Sequence, residues 1–570
     1  MQYILPLKLS NIRCILVYLL WAKLAVANTP LGPLATQDIE RQQQERLESL
    51  NESNESLQKL IPSQVIPDPE FEADSTCVQI EAITFSGNKI YDNSTLESIS
   101  EFKPGCITLT QINEYLRLIS NHYIESGYVT SRAFMTPQDL SSGVLNIVIL
   151  EGKVEKVLWN GEERQWLKMA FPMIADTVLN LRGIEQGLDQ INRLSRYNAT
   201  IKLLPSSKQG YSVVDLQTAE RQLGSIGVGF SNSGQKSTGE EQIALNLSGE
   251  NFFKWLDKWT LSATQSAAFV DSKQSDSLYL GVDVPIGYWN VGYRTSYSTY
   301  KTTFTNSGFT FDSSGKTNNH YLDSKWLFFR DGTSKSALKL TASHRREKNY
   351  IMGNLVEASS RNLSMLSLAW EYSTRVGGGF LTVSPNMSIG TDWFGGEENL
   401  SSDPSVAKAQ FRKGMLTGSY TYAFTPKLTL TSTLFGQWTN DTLYGSERVS
   451  IGGEYSVRGF KGTSLSGDEG YYWRNDVTYQ IGQWPYVGAI SAQVAVDTGS
   501  IAEDLEDQYE GGSLMGSSFA LRTSQKHASS SFTLGLPIAA PSRLKKDDFV
   551  VYYRIDLKIK KKGWLNEKEK

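Results

Sequence analysis

Residues 428–434 read LTLTSTL, and this short stretch carries the pattern that decides the fold. Apolar and hydroxyl side chains alternate with a period of two, which predicts a β-strand with two different faces. The same alternation recurs in other segments, separated by clusters of Gly, Asn, Ser and Asp: GSIGVGF at 224–230, LYLGVDV at 278–284 and FTLGLPI at 532–538. We therefore expect the region after Gly224 to be built from many antiparallel strands.

The extent and composition of this region favour a membrane β-barrel, which we place at residues 221–560. The chain contains 27 Tyr and 13 Trp but 3 Cys. Without water, every backbone polar group in a bilayer must be paired, and a closed barrel of strands about 9–11 residues long satisfies this requirement. A soluble sandwich would also alternate, so alternation alone leaves both folds open and does not count the strands.

The N-terminus predicts export. Lys8 precedes an apolar run at 14–22, and the small residues of Ala25-Val26-Ala27 fit a cleavage site. We interpret residues 1–27 as a signal peptide, because the run is short for a membrane anchor. The net charge of −4 gives no reason to expect a nucleic-acid partner.

Two cysteines, Cys77 and Cys106, remain once the signal peptide with Cys14 is removed. Two thiols in an oxidising compartment favour a disulfide, which would restrict the unfolded chain by about 3–4 kcal/mol. The alternative is a pair of buried free thiols. Neither cysteine lies in a C-x-x-C pattern, so we expect a structural bond.

A polar helix and a linker follow the signal peptide. Leucines and one isoleucine recur at near-heptad intervals between Thr36 and Leu60, among Gln, Glu and Arg, which predicts a weakly amphipathic helix in the segment 28–60. Three prolines then mark a linker at 61–74. The tethered helix either docks in a polar cavity or serves as a solvated spacer.

Two α/β modules are expected next, at 75–152 and 153–220. The first contains predicted strands at 78–85, 127–133 and 145–150 and a helix around 112–123. The second contains predicted strands at 154–159, 200–203 and 212–216 and a helix around 184–194. This loose repeat makes each module large enough for a small core.

Parts of both modules resemble the POTRA domains of two-partner secretion transporters. The resemblance lies in residues 123–132, Pro137-Gln138-Asp139-Leu140 and Gly143-Val144-Leu145 for the first domain, and in residues 181–194 for the helix of the second. It implies periplasmic domains that bind one large unfolded exoprotein by strand addition. It further implies a barrel of sixteen strands in the bacterial outer membrane, plugged at rest by the N-terminal helix. The Cys77/Cys106 pair matches the haemolysin-activator branch of that family.

A second motif that the family shares lies at Val457-Arg458-Gly459-Phe460. The resemblance implies that this VRGF motif lies on a loop folded back into the lumen, where Arg458 pairs with Asp497 on a strand. Ala495 stands where the family usually has an aromatic residue, which leaves the packing there open. The alternative is a solvated arginine in a glycine-rich turn. The same resemblance implies that the plug helix and this loop are the mobile parts.

The last strand, 551–559, is expected to close against the first, and a charged tail, 561–570, follows it. Barrels of this kind usually end on an aromatic residue. The barrel-assembly machinery would therefore recognise an internal signal, or the tail is disordered and without effect.

We find no motif for catalysis, metal binding or a cofactor. The four histidines, His122, His320, His344 and His527, show no metal-ligand spacing. We therefore expect no enzyme and no cofactor. The resemblance implies an exporter of one exoprotein that is driven by folding of this client outside the cell. Whether it also activates the client stays open. The alternatives are an outer-membrane assembly insertase of the same superfamily and a solute porin.

Overall fold

The computed structural model describes residues 32–58, 66–67, 76–172, 174–218, 224–267, 270, 272–306, 308–503 and 511–560. The predicted signal peptide, most of the linker and the charged tail lie outside the described residues. Within the ranges given, no helix is both long and apolar enough to cross a membrane. The chain forms an N-terminal helix, two small α/β units and a closed barrel.

The N-terminal helix and the first α/β unit come before residue 152. Their elements are α1 (Pro33–Gln58), β1 (Cys77–Ile80), β2 (Ala82–Ser86), α2 (Asn93–Ser100), β3 (Gly105–Thr108), α3 (Leu109–Glu125), β4 (Arg132–Phe134) and β5 (Val144–Leu150). A capping box between Thr108 and Gln111 starts α3. Its apolar face, with Ile119 and Tyr123, packs on a sheet of order β2-β5-β4.

Two strand predictions in this unit were wrong in their extent. The predicted strand 78–85 is divided, because the amides of Glu81 and Ala82 both donate to the carbonyl of Gly143, and β1 pairs with β3 while β2 pairs with β5. The predicted strand 127–133 is reduced to β4. Gly127, at φ +93°, and Tyr128 instead close the C-terminal turn of α3.

The second α/β unit has its own core. Its elements are β6 (Lys153–Trp159), α4 (Leu167–Ala170), α5 (Leu181–Asn192), β7 (Ala199–Pro205) and β8 (Tyr211–Thr218). The sheet order is β6-β8-β7, with α5 packed on one face through Ile184 and Ile191.

Sixteen antiparallel strands close the barrel, as the family resemblance implied. They are β9 (Gly224–Ser231), β10 (Gln242–Glu250), β11 (Lys258–Ser266), β12 (Lys273–Ile286), β13 (Trp289–Asn306), β14 (Phe309–Arg330), β15 (Ser334–Ile351), β17 (Arg361–Val376), β18 (Gly379–Thr391), β19 (Arg412–Thr425), β20 (Leu428–Thr439), β23 (Gly470–Trp484), β24 (Gly488–Ile501), β25 (Gly512–Ser524), β26 (Ala528–Ala539) and β27 (Val550–Lys560). Three short strands lie in loops: β16 (Asn354–Leu355), β21 (Val449–Ile451) and β22 (Leu465–Gly467).

The barrel closes where β27 pairs with β9, from Arg554 opposite Ser231 to Lys560 opposite Ser225. Asn232 extends this seam through its side chain, because it donates to the carbonyl of Val551 and accepts from the amide of Tyr553. Strands meet in short turns at the end of the barrel next to the two α/β units, and the longer loops lie at the other end. Apolar side chains face outward along the strands and polar ones face the lumen, as bilayer insertion requires.

Candidate functional site in the barrel lumen

The loop between β20 and β23, residues 440–469, folds back into the barrel. Its short strands β21 and β22 pair with each other. Its apolar side chains form a buried cluster with residues of the barrel wall: Val449, Ile451, Val457, Phe460 and Leu465 from the loop, and Phe435, Tyr472, Ile501 and Leu514 from the strands. This cluster gives the loop an apolar base within an otherwise polar lumen.

Arg458, at the tip of the loop, forms a bidentate contact with Asp497 of β24. The guanidinium Nε lies 2.6 Å from Oδ2 and Nη2 lies 2.7 Å from Oδ1. The backbone amide of Arg458 also donates to Oδ2 at 3.0 Å. The arginine side chain is 3% exposed and the aspartate 0%. Three charge-assisted hydrogen bonds to one carboxylate thus fix the loop tip in position and direction.

Asp476 of β23 is a further partner of Arg458 that the sequence analysis missed. Its Oδ1 lies 2.6 Å from Nη1. In the β23–β24 pair Asp476 lies opposite Ala495, and Asp497 lies opposite Arg474. Ala495 is buried, so the position where the family usually has an aromatic residue is occupied here by a small side chain beside a second carboxylate. Pairing residues 470–484 with 488–501 as a hairpin would have placed Asp476 near Asp497, so the strand register could have identified it.

Glycines let the loop backbone approach the barrel wall closely. Gly459 has φ +105°, and a Cβ there would lie 2.7 Å from the backbone of Leu536. A Cβ at Gly516 would lie only 1.8 Å from the carbonyl oxygen of Arg458. The hydroxyl of Tyr552 donates to the carbonyl of Phe460 at 2.8 Å. The VRGF motif therefore rests directly on the backbone of β25 and β26.

The helix α1 runs through the lumen beside this loop. Asp38 contacts Arg345 of β15 and accepts from Asn319 of β14 at 3.3 Å. Glu45 forms an ion pair with Arg294 of β13 at 2.8 Å. The helix also meets the loop itself, because Gln43 donates to the carbonyl of Ser450 at 2.8 Å. Apolar side chains of the helix are buried as well, among them Leu34 and Leu57, so polar and apolar contacts together hold it.

The C-terminal end of α1 lies near the second α/β unit. Arg375 donates to the carbonyl of Leu57 at 2.6 Å, which satisfies an unpaired acceptor at the helix end. Lys335 contacts Ser56 of the helix and also Asp189 of α5, the latter at 2.7 Å. Burial acts to raise the pKa of Asp189, but Lys335 and Arg330 together lower it below its ordinary value. The Asp189 carboxylate at this junction is therefore ionised at neutral pH.

The chain matches known protein families over most of its length. The model for haemolysin secretion/activation protein ShlB/FhaC/HecB matches residues 210–523, and the models for a ShlB-type POTRA domain and a POTRA domain match 78–152 and 153–205. The chain belongs to the ShlB/FhaC/HecB family. The two α/β units are accordingly its first and second POTRA domains.

Individual relatives and solved structures agree with this assignment. The outer membrane transporter CdiB of Dickeya dadantii (strain 3937) is 37% identical over 92% of this chain and 95% of that protein. The hemolysin transporter protein HpmB of Proteus mirabilis is 26% identical over 82% of this chain and 83% of its own length. The structure of CdiB from Escherichia coli is 34% identical, covers 93% of this chain and all of that chain, and superposes with a TM-score of 0.90. The resemblance to the family stated above is therefore confirmed.

The first POTRA domain contains the disulfide that was expected from the sequence. Cys77 and Cys106 are bonded, with their Cα atoms 5.3 Å apart. The bond joins the neighbouring strands β1 and β3. The residue opposite Cys106 is Gln79, and Cys77 lies two positions before it on the same strand. Both cysteines are exposed, so the alternative of two buried free thiols is wrong.

Proposed function

We propose that this chain is an outer-membrane transporter that receives one unfolded exoprotein at its periplasmic POTRA domains and secretes it through its barrel. The observation that carries the proposal is a closed barrel whose lumen holds a helix, next to two POTRA domains. A lumen occupied in this way suits a pore that opens for a particular client rather than one that is always open.

The contacts of α1 support its role as a releasable plug. Glu45 and Arg294 retain 37% and 24% exposure in their side chains, so water already reaches this ion pair. Ion pairs that water reaches contribute little net free energy, about 0–1 kcal/mol each, because both charges are solvated again after separation. The pair of Asp38 with Arg345 is buried, at 5% and 9% exposure, but Arg345 keeps Glu347 as a partner at 2.8 Å when the helix leaves. Departure of the helix would give an extended client room to pass.

The POTRA domains offer edges for strand addition. In the second domain β7 pairs with β8 on one side, and its other side pairs with no strand among the described residues. Thr200 and Leu203 on this strand are exposed. An unfolded client can hydrogen-bond to such an edge through its backbone, with little demand on its sequence. Lys335 and Asp189 would then connect client binding at the second domain to the end of the plug.

The test is to compare the culture supernatant and surface proteins of cells with and without this chain. We expect the loss of one large exoprotein from outside the cell, with that protein retained or degraded in the periplasm. A broad fall in barrel proteins would instead support the assembly-insertase alternative. Unchanged exoproteins together with reduced uptake of small sugars would support a porin.

Two finer parts of the proposal have separate tests. If the transporter also activates its client, then client purified from the periplasm of the deletion strain will lack the activity that secreted client shows. Equal activity of the two preparations would mean secretion alone. The second part is that the barrel-assembly machinery inserts this chain. Depletion of that machinery should then lower the amount of folded transporter in the membrane.

A further inference from the structure

The periplasmic turn between β10 and β11, residues 251–257, is anchored in the second POTRA domain on one of its sides. Leu256 is fully buried in the core of that domain. The guanidinium of Arg193 donates to the carbonyl of Leu256 at 2.5 Å, and the amide side chain of Asn251 donates to the hydroxyl of Tyr197 at 2.9 Å. The turn thus connects the barrel wall firmly to the POTRA domain.

The conformation of this turn is closely determined by one buried carboxylate. Asp257 is 1% exposed and accepts hydrogen bonds from three backbone amides of the turn and from one indole: Phe252, Phe253, Trp255 and Trp259. Three residues that are not glycine adopt positive φ angles there: Asn251, Lys254 and Leu256. Such conformations are costly and persist where the surroundings enforce them, often at functional positions. The turn is therefore a built structure and holds its side chains in fixed directions.

The other side of the turn presents three large aromatic side chains to the outside. Phe252, Phe253 and Trp255 are 59%, 59% and 57% exposed. Lys254, between them, is exposed as well. Monomeric proteins rarely leave a contiguous apolar patch in water without a partner. The question is which partner covers this cluster.

The aromatic cluster continues the lipid-facing surface of the barrel. The ring of Phe252 lies over Gly249, where a Cβ would be 2.0 Å from the ring. Gly249 lies directly opposite Trp259, and side chains opposite one another in a pair share a face of the sheet. On that face the alternation leads through Leu247 and Leu261 to the exposed Leu245. Phe253 contacts Trp259, with ring centroids 5.9 Å apart. The cluster is therefore the periplasmic edge of the outward apolar band.

We propose that residues 251–257 are an interfacial lipid anchor that fixes the second POTRA domain to the inner leaflet of the outer membrane. The three aromatic side chains enter the boundary between headgroups and acyl chains, where aromatic rings are favoured. The ammonium of Lys254 meets phospholipid phosphates. Because Leu256 of the same turn is part of the POTRA core, lipid contact holds this domain at a fixed orientation to the membrane, whereas the first POTRA domain has no such attachment among the described residues.

Depth measurement by spin labelling tests the lipid contact in the full-length mature protein in phospholipid vesicles. The native disulfide leaves both cysteines unreactive, so F253C gives one labelling site. We expect its nitroxide to be more accessible to oxygen than to a polar nickel complex, as for L245C on the barrel wall. The control S98C, exposed on the first POTRA domain, should show the reverse. A label at position 253 that behaves like S98C would overturn the proposal.

The effect on the domain is measured with the variant F252S/F253S/W255S, which retains Leu256 and Asp257. Spin labels at Thr200 and Lys427, both exposed, report the distance between the second POTRA domain and the barrel. We expect a broader distance distribution in vesicles for the triple variant than for the parent. An unchanged distribution in a folded triple variant would refute the anchoring role. The depth measurement on F253C does not depend on the triple variant and decides the lipid contact by itself.

Discussion

The VRGF loop and the helix α1 occupy the same lumen but are held there in different ways. Arg458 is 3% exposed and pairs with a fully buried carboxylate. The helix has one ion pair that water reaches, Glu45 with Arg294, and one buried pair, Asp38 with Arg345, whose arginine also has Glu347 as a partner. Breaking a buried pair leaves an unpaired charge without solvent, while an exposed pair separates at little cost. The family resemblance implies mobility for both elements. The difference between their contacts predicts an order of release: we expect the helix to leave the lumen first while the loop stays docked.

The largest expected effect comes from breaking the buried pair. R458A leaves the carboxylates of Asp497 and Asp476 without their shared arginine, and D497A leaves Arg458 with Asp476 alone. Breaking a buried pair in this way costs about 3–5 kcal/mol. We expect secretion of the client to be lost. The measurement is client in the supernatant relative to folded transporter in the membrane, which is followed by the shift of the barrel in an unheated gel.

R458K provides a matched control for this first prediction. Lysine keeps the charge but cannot form the bidentate contact, so we expect partial secretion. Secretion at the parental level by R458A, with normal membrane amounts, would remove this pair from the mechanism.

The next effect concerns the close approach of the loop to the wall. G516V should displace the loop, because a side chain there would overlap the carbonyl of Arg458. We expect a strong loss of secretion together with faster proteolysis of the loop in intact cells. G482A is the control. A Cβ at Gly482 would have no atom of the described residues within 4 Å, apart from its chain neighbours, so we expect secretion and loop proteolysis to stay at the parental level. Equal behaviour of the two variants would contradict the docked position.

Loosening the helix α1 in the lumen should have a smaller effect, a rise in conductance rather than a loss of secretion. D38A/E45A removes the ion pairs of the helix with Arg345 and Arg294. We expect the helix to leave more often, which raises single-channel conductance in planar bilayers while secretion continues. E48A is the control, since Glu48 is exposed and accepts a hydrogen bond from Gln44 within the helix. A conductance equal to that of E48A would show that these ion pairs do not retain the helix.

The smallest effect is expected at Asp476, the second carboxylate of the loop contact. It shares one short contact with Arg458, compared with three hydrogen bonds to Asp497. D476N removes a charge but keeps a hydrogen-bond acceptor, so we expect a reduction of secretion that is well below that of D497A. Equal loss in the two variants would mean that both carboxylates are needed together.

Much of the architecture followed from local sequence patterns, and the rest depended on distant contacts. Alternation such as that in LTLTSTL identified barrel strands, because the period of two is fixed by the backbone itself. The VRGF motif indicated Arg458, and the family implied Asp497 as its partner. Asp476 was missed because its role depends on strand register, which brings it beside Ala495. The division of the predicted strand 78–85 depends on Gly143, which lies just before β5, and no local pattern indicates it.

The claim that the helix leaves the lumen during transport is tested most directly by tethering it there. The side-chain amide of Asn54 in α1 donates to the hydroxyl of Thr421 in β19 at 3.1 Å, so N54C/T421C places two thiols close together, where oxidation can join helix and wall. Each single-cysteine variant and the parent, with and without reductant, serve as controls for the native disulfide. We predict that secretion stops in the oxidised double variant and returns after reduction. Full secretion with the tether completely formed would contradict the account.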